Sequence, residues 1–343
     1  MDELTPRQQM ILGLVVREYL ESASPVSSRA LVEDYGLGVS TATVRNELAR
    51  LEELGYLDHP HTSAGRIPTH KGYRRFVTRL LDGGELPLQE RRTIAHQFYQ
   101  ARRDFEQWMP LAASVLARTT RGASLVTAPR AMELRYKHLQ LISTQGQMVL
   151  LVLVLRGGTI RQQMLSLAEP FVQEALNEAS DRLNQLCSGL TFDEIEARLE
   201  GLPPLEADIA SLVVDIMRSA GAHTTGAVFR DGLTEVLQEP EFAEGERAQG
   251  LVRVMEERSF LDAVLADALS PEVGSVRVLI GGEGRWDELQ ACSLVLARYG
   301  VTGFVTGALG VVGPTRMFYG RAISTVSFVA GLLSDLVSDI YLE

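Results

Sequence analysis

Thr43, Arg45, Asn46 and Arg50 lie in one short run and are the side-chain types that touch a thymine methyl, the edge of guanine, the edge of adenine and a phosphate. They can do this together only if one element holds them on one side. Val44, Leu48 and Leu51 recur at i, i+4 and i+7, so the spacing predicts a helix with these three on its buried stripe. Ala42, Asn46, Ala49 and Arg50 then fall on the far side, with Thr43 and Arg45 at its edges. Ser40 or Thr41 is positioned to cap the helix, and Gly55 to end it with a positive φ. Side chains near the N-terminus of such a helix, Thr41 included, are the ones that reach base edges in a major groove.

Behind this helix the charge pattern changes. From His59 to Arg79 the chain carries five Arg or Lys residues and no Asp or Glu, although its net charge is −11. Tyr56-Leu57 begins a strand, and Gly65 and Pro68 let a loop carry Arg66 and Thr69 onto a sugar-phosphate backbone or into a minor groove. His61, Ser63 and Lys71 belong to the same candidate wing. Taken alone, a charge run is commonly a solvated face behind an amphipathic helix. The order of elements is what raises the reading to a winged helix for duplex DNA. Thr5-Pro6 caps a first helix with Ile11, Leu12, Val15 and Leu20 as its apolar stripe, through about Ser22. Ser27 or Ser28 caps a second helix with Ala30, Leu31 and Tyr35, and Tyr35-Gly36-Leu37-Gly38 turns the chain into the third.

The chain has 343 residues, which is long for one core and suggests two or three domains. Apolar residues at 45% and charged residues at 22% are ordinary for a globular protein. Residues 1–80 balance ten basic against ten acidic side chains, whereas residues 168–272 hold seven against 22. The acidic part is therefore expected to stay off DNA, while the local field of the first domain remains compatible with it. The opening MDELTPRQQM has acid where a secretion signal has base, and no apolar run is expected to approach the length of a membrane span, the longest candidate, Met148–Leu155, stopping at Arg156. A cytoplasmic protein is expected. Cys187 and Cys292 lack neighbouring ligand residues and read as buried free thiols.

The runs TATVRNELARLEELGYL and HPHTSAGRIPTHKGYRRFV, followed by EPEF at residues 239–242 and GPTRMFYGRAI at 313–323, strongly resemble, in order and position, the signatures of the HrcA family of bacterial heat-inducible repressors. That resemblance implies a homodimer that binds the inverted-repeat CIRCE operator of chaperonin and chaperone operons, under control of the GroEL chaperonin. It also implies a GAF-like domain interrupted by an insert that helps form the dimer.

The remaining chain fits an α+β, multidomain protein. The expected division is a winged-helix domain at 1–81, a linker and connecting helix at 82–119, a GAF-like domain at 120–167 plus 273–343, and a mainly helical insert at 168–272. Residues 88–118 carry a helical pattern, with Arg91, Arg92, Arg102 and Arg103 reading as solvated cations. From Leu139 to Leu167 the pattern is a three-stranded meander, and strands return at Val276–Ile280, Ser293–Tyr299 and Gly303–Val312. Because so small a sheet is barely stable alone, both groups are expected in one sheet. A last helix from Thr315 turns Ile323, Val326, Ala330, Leu333 and Val337 toward it. Arg316 and Arg321, at its positive end, are expected to pair with carboxylates in the domain or across a dimer.

No catalytic constellation is visible. Gly281-Gly282-Glu283-Gly284-Arg285 lacks the Lys-Ser/Thr of a phosphate loop, and the pair His59 and His61 lacks further metal ligands. Neither a nucleophile elbow nor paired carboxylates occur, so neither an enzyme nor a cofactor is expected. The run ARYGVTGFVTGALGVVGPTRMFYGR suits either a ligand pocket or close packing of sheet on helix. A regulator gated by a small effector in that domain is accordingly the alternative function.

Overall fold

The computed structural model describes the chain except residues 1–3, 61–64, 81–83, 102–104, 132–133, 157–159, 200, 223–226, 244, 271, 303 and 342–343. Helix α1 (Pro6–Ser22) opens with a capping box between Thr5 and Gln8 and closes where Ala23 turns left-handed. Helix α2 (Ser28–Tyr35) is capped by Ser27, and α3 (Thr41–Glu53) by Ser40. Val44, Leu48 and Leu51 are buried, as their spacing requires. Strands β1 (Leu57–Asp58) and β2 (Ile67–Pro68) pair antiparallel as the root of the wing. Thr69 then caps α4 (His70–Arg75), which runs on into a wider turn at Phe76–Leu80. The connecting segment forms two helices, α5 (Leu88–Gln100) and α6 (Phe105–Thr120), followed by the fully buried strand β3 (Ala123–Thr127).

Residues Ala128–Ala227, with Gly300–Gly307 and Val337–Glu343, make up a second compact unit. After the short β4 (Arg130–Ala131) it holds a meander of β5 (Tyr136–Gln145), β6 (Met148–Leu155) and β7 (Ile160–Ser166), then α7 (Gln173–Cys187), α8 (Phe192–Glu196) and α9 (Pro204–Ala222). Leu139, Leu141, Leu151 and Leu153 pack beneath Leu176, Leu183, Ile209 and Val213. Helix α7 also seals the β5 edge. Asn184 accepts from the Leu139 amide at 2.7 Å and donates to its carbonyl at 3.0 Å, while Gln173 bonds Ser143 N and Leu141 O, each at 2.8 Å.

The chain then returns to the first unit, which comprises Met1–Thr127, Val228–Tyr299 and Ala308–Leu336. It supplies β8 (Val228–Asp231), α10 (Leu233–Val236), α11 (Gly245–Glu256), α12 (Arg258–Ala268), β9 (Val276–Ile280) and most of β10 (Cys292–Val301), β11 (Val305–Pro314) and α13 (Tyr319–Tyr341). The GAF-like sheet runs β8-β3-β11-β10-β9. One face buries Leu125, Leu279, Leu294 and Leu296 against Leu251, Val254, Leu261 and Val264 of α11 and α12. On α6, the Ala113 carbonyl accepts from Ser124 Oγ at 2.7 Å, and the Met109 sulfur lies 3.2 Å from the Tyr299 hydroxyl, which donates to Thr127 O of β3.

Two expectations are corrected here. The meander does not join the strands at 276–314; it forms a separate three-stranded sheet, made viable because α7 covers both a face and an edge. The interruption accordingly falls between β3 and β8, and residues 228–272 lie with the GAF-like sheet rather than in an insert. Second, α13 is long and apolar enough, by length and composition, to cross a membrane. Its Ala322, Val326, Ala330 and Leu333 are nonetheless buried within the protein, the stripe of a core helix.

Candidate nucleic-acid interface

Helix α3 buries one stripe and leaves Thr41, Arg45, Asn46 and Arg50 exposed, with Thr43 half-buried. Arg45 and Asn46 have no hydrogen bond or ion pair among the described residues, so both are available to an outside partner. Thr43 shares a 3.0 Å contact with the capping hydroxyl of Ser40, and Arg50 Nη1 pairs with Glu53 at 2.8 Å. The helix is fixed from behind by Glu47, which accepts from Gln8 Nε2 at 3.1 Å.

The wing residues are placed differently from the helix residues. Thr69 caps α4 and donates its hydroxyl to Gly55 O at 2.7 Å, while Lys71 donates to Leu54 O at 2.7 Å and lies over the Tyr56 ring. Arg66, read from the sequence as a backbone contact, turns inward: its guanidinium meets Glu52 at 2.7 Å and its side chain is 22% exposed. His59 lies against the other oxygen of the same carboxylate. His61 and Ser63 lie outside the described residues. Sequence reasoning missed Glu52 and Glu47, whose only signal was a carboxylate at the rim of the packing stripe.

The other motifs singled out in the sequence come together behind the winged helix, within the first unit. Arg316 pairs with Glu241 and, at 2.5 Å, with Glu239, so the EPEF and GPTR segments are clasped by one guanidinium. Tyr73 of α4 packs on Tyr319 at 5.9 Å between ring centroids, and Arg74 reaches Glu283 at 2.6 Å. Burial pushes both tyrosine hydroxyls well above their ordinary range, keeping them neutral. The glycine turn cradles a side chain rather than a phosphate: a Cβ on Gly281 would fall 2.3 Å from the His70 ring. Arg321 bonds Thr119 O at 2.7 Å and Glu90 at 3.1 Å. The two arginines thus find the carboxylates expected of them, both within the chain.

This clasp makes a prediction. Arg316→Ala leaves Glu239 and Glu241 facing each other in a half-buried site, and removing one partner of a largely desolvated pair is costly. A loss of about 2–3 kcal/mol is expected, near the lower end for buried pairs because both carboxylates retain some solvent. Urea denaturation measures it, and an unchanged midpoint would show the clasp to be inert.

A buried-backed helix with free Arg and Asn at its outer face, followed by a two-stranded wing, defines a winged-helix DNA-binding protein carrying a GAF-like domain. Residues 1–65 match the family model described as the LexA DNA binding domain, and residues 106–323 match the HrcA protein C terminal domain. Heat-inducible transcription repressors HrcA from Roseiflexus castenholzii, Herpetosiphon aurantiacus and Dehalococcoides mccartyi are 46%, 44% and 38% identical to it. These alignments cover 98–99% of this chain and 96–97% of each relative. A crystal structure of a hypothetical protein superposes with a TM-score of 0.60 at 25% identity, covering 98% of both chains. The chain belongs to the HrcA family of heat-inducible transcription repressors, so its role is to repress transcription rather than to catalyse a reaction.

Proposed function

We propose that two copies of the chain bind one inverted-repeat operator, the CIRCE element of chaperonin and chaperone operons, each inserting α3 into a major groove. Arg45 and Asn46 read base edges, Thr41, Thr43 and Arg50 orient the helix on the duplex, and the wing with His61, Ser63, Thr69 and Lys71 lies along the phosphates or minor groove. The single observation that carries this reading is the exposed, unpaired Arg45-Asn46 pair on a helix buried on its opposite side. Two-fold symmetry in the protein matches two-fold symmetry in such an operator. The meander supports pairing of copies: Ile142, Met148, Ile160 and Met164 are exposed, and β7 has no strand on its outer edge among the described residues. The chaperonin is the proposed regulator, helping the repressor reach its active form, and the cytoplasm the proposed location.

A gel-shift titration with operator and scrambled duplex, salt varied and chaperonin added, tests this. Operator binding about a thousandfold or more above scrambled DNA is expected, with affinity falling steeply as salt rises. Equal retention of both duplexes would remove the operator reading, and no response to chaperonin would remove the regulator.

A further inference from the structure

We propose that Glu52 is a positioning residue for DNA binding, and that Arg66 serves the wing by holding Glu52 rather than by touching a phosphate. This rests on the operator-binding reading. Among the described residues the ladder between β1 and β2 has two residue pairs, Leu57↔Pro68 and Asp58↔Ile67, too short to fix its own angle to α3. Glu52 lies in the last turn of α3 and spans that root. One carboxylate oxygen lies against His59, immediately after β1; the other meets Arg66 Nη2 at 2.7 Å, immediately before β2. A single carboxylate on the reading helix therefore touches both limbs of the wing.

Arg66 is held at its backbone and at Nη2. Its amide donates to Val26 O at 2.8 Å and its carbonyl accepts from Val26 N at 2.9 Å, while its buried Nε has no hydrogen-bond partner among the described residues. Gly65 permits this approach, since a Cβ there would fall 2.4 Å from Val26 O. A phosphate contact that drew Arg66 off Glu52 would leave a carboxylate at the root of a wing that approaches a polyanion. With the pair intact, the carboxylate is neutralised and the wing is set.

The experiment is an operator titration over a range of salt, at a temperature where circular dichroism shows every protein folded, on wild type, Glu52→Gln, Arg66→Ala, the double variant and the exchanged pair Glu52→Arg/Arg66→Glu. A bystander Glu52 gives tighter binding when neutralised, because a negative charge near DNA is lost. The brace gives the opposite sign: Glu52→Gln and Arg66→Ala each weaken binding about five- to tenfold, and the double variant is no worse than either single. The slope of log affinity against log salt stays that of wild type in Arg66→Ala, whereas loss of one phosphate contact would reduce it by about one. The exchanged pair recovers part of the lost affinity. Tighter or unchanged binding by Glu52→Gln, additive losses, or a slope reduced by about one in Arg66→Ala would each overturn the proposal. Wild-type protein that holds operator and scrambled duplex alike would overturn the operator reading instead, and the brace with it.

Discussion

Arg45→Ala is expected to weaken operator binding by roughly 1–3 kcal/mol, a factor of about five to 150, while leaving the stability of the protein within about 0.5 kcal/mol of wild type. The second half follows from the first observation about this side chain: it is exposed and has no partner among the described residues, so its removal breaks no contact seen there. The loss on DNA comes from the opposite circumstance, a guanidinium fork matched to the two acceptors of guanine. If Arg45 made only a phosphate contact, operator and scrambled duplex would weaken alike and the salt slope would fall by about one. A base contact lowers the operator-to-scrambled ratio instead. Titration of both duplexes with both proteins measures that ratio, and an unchanged ratio refutes the base-reading role of Arg45. Asn46→Ala tests the neighbouring position, where a planar amide matches adenine.

The helices of the winged domain were legible because their signals are local. Thr5, Ser27 and Ser40 are caps that announce themselves within three residues, and the stripe Val44, Leu48, Leu51 needs only its own helix to be read. The ion pair of Arg66 was not legible for the complementary reason. Counting five cations and no acid from His59 to Arg79 describes a segment, yet the carboxylate that takes Arg66 comes from α3, outside the counted window. The sheet division failed on the same ground. Ala123–Thr127 is buried on both faces, so it shows no alternation, and its partner Val228–Asp231 is separated from it by about a hundred residues; Ser124 pairs with Asp231. No local period reports such a pairing. The meander itself was visible as three strands, but the helix that closes its β5 edge lies beyond its last strand. What the sequence suggested about Arg316 was the need for a carboxylate; only the fold brings Glu239 and Glu241 to it.

Gly72→Ala is expected to destabilise the winged-helix domain by about 3 kcal/mol and to abolish most operator binding at temperatures where the wild-type domain is fully folded. Gly72 lies inside α4, where helix propensity alone favours alanine by about 1 kcal/mol. Sterics oppose that preference and win. A Cβ at this position would stand 2.3 Å from the carbonyl oxygen of Tyr56, a backbone atom with no rotamer into which to retreat. The same oxygen accepts the Thr69 amide at 3.1 Å, and the Thr69 hydroxyl, which donates to Gly55 O, in turn caps α4 by accepting from the Gly72 amide. Relieving the overlap means moving α4 away from the turn behind α3, which pulls out the cap and the Lys71 bond to Leu54 O together. Gly331 of α13 provides the control, being a helical glycine with open space where a Cβ would go. There propensity is unopposed, and Gly331→Ala is expected to raise stability by up to about 1 kcal/mol. Urea midpoints for the two variants should therefore move in opposite directions. A Gly72→Ala protein as stable as wild type, with its operator affinity intact, would mean that α4 does not need to lie against Tyr56 for the wing to work.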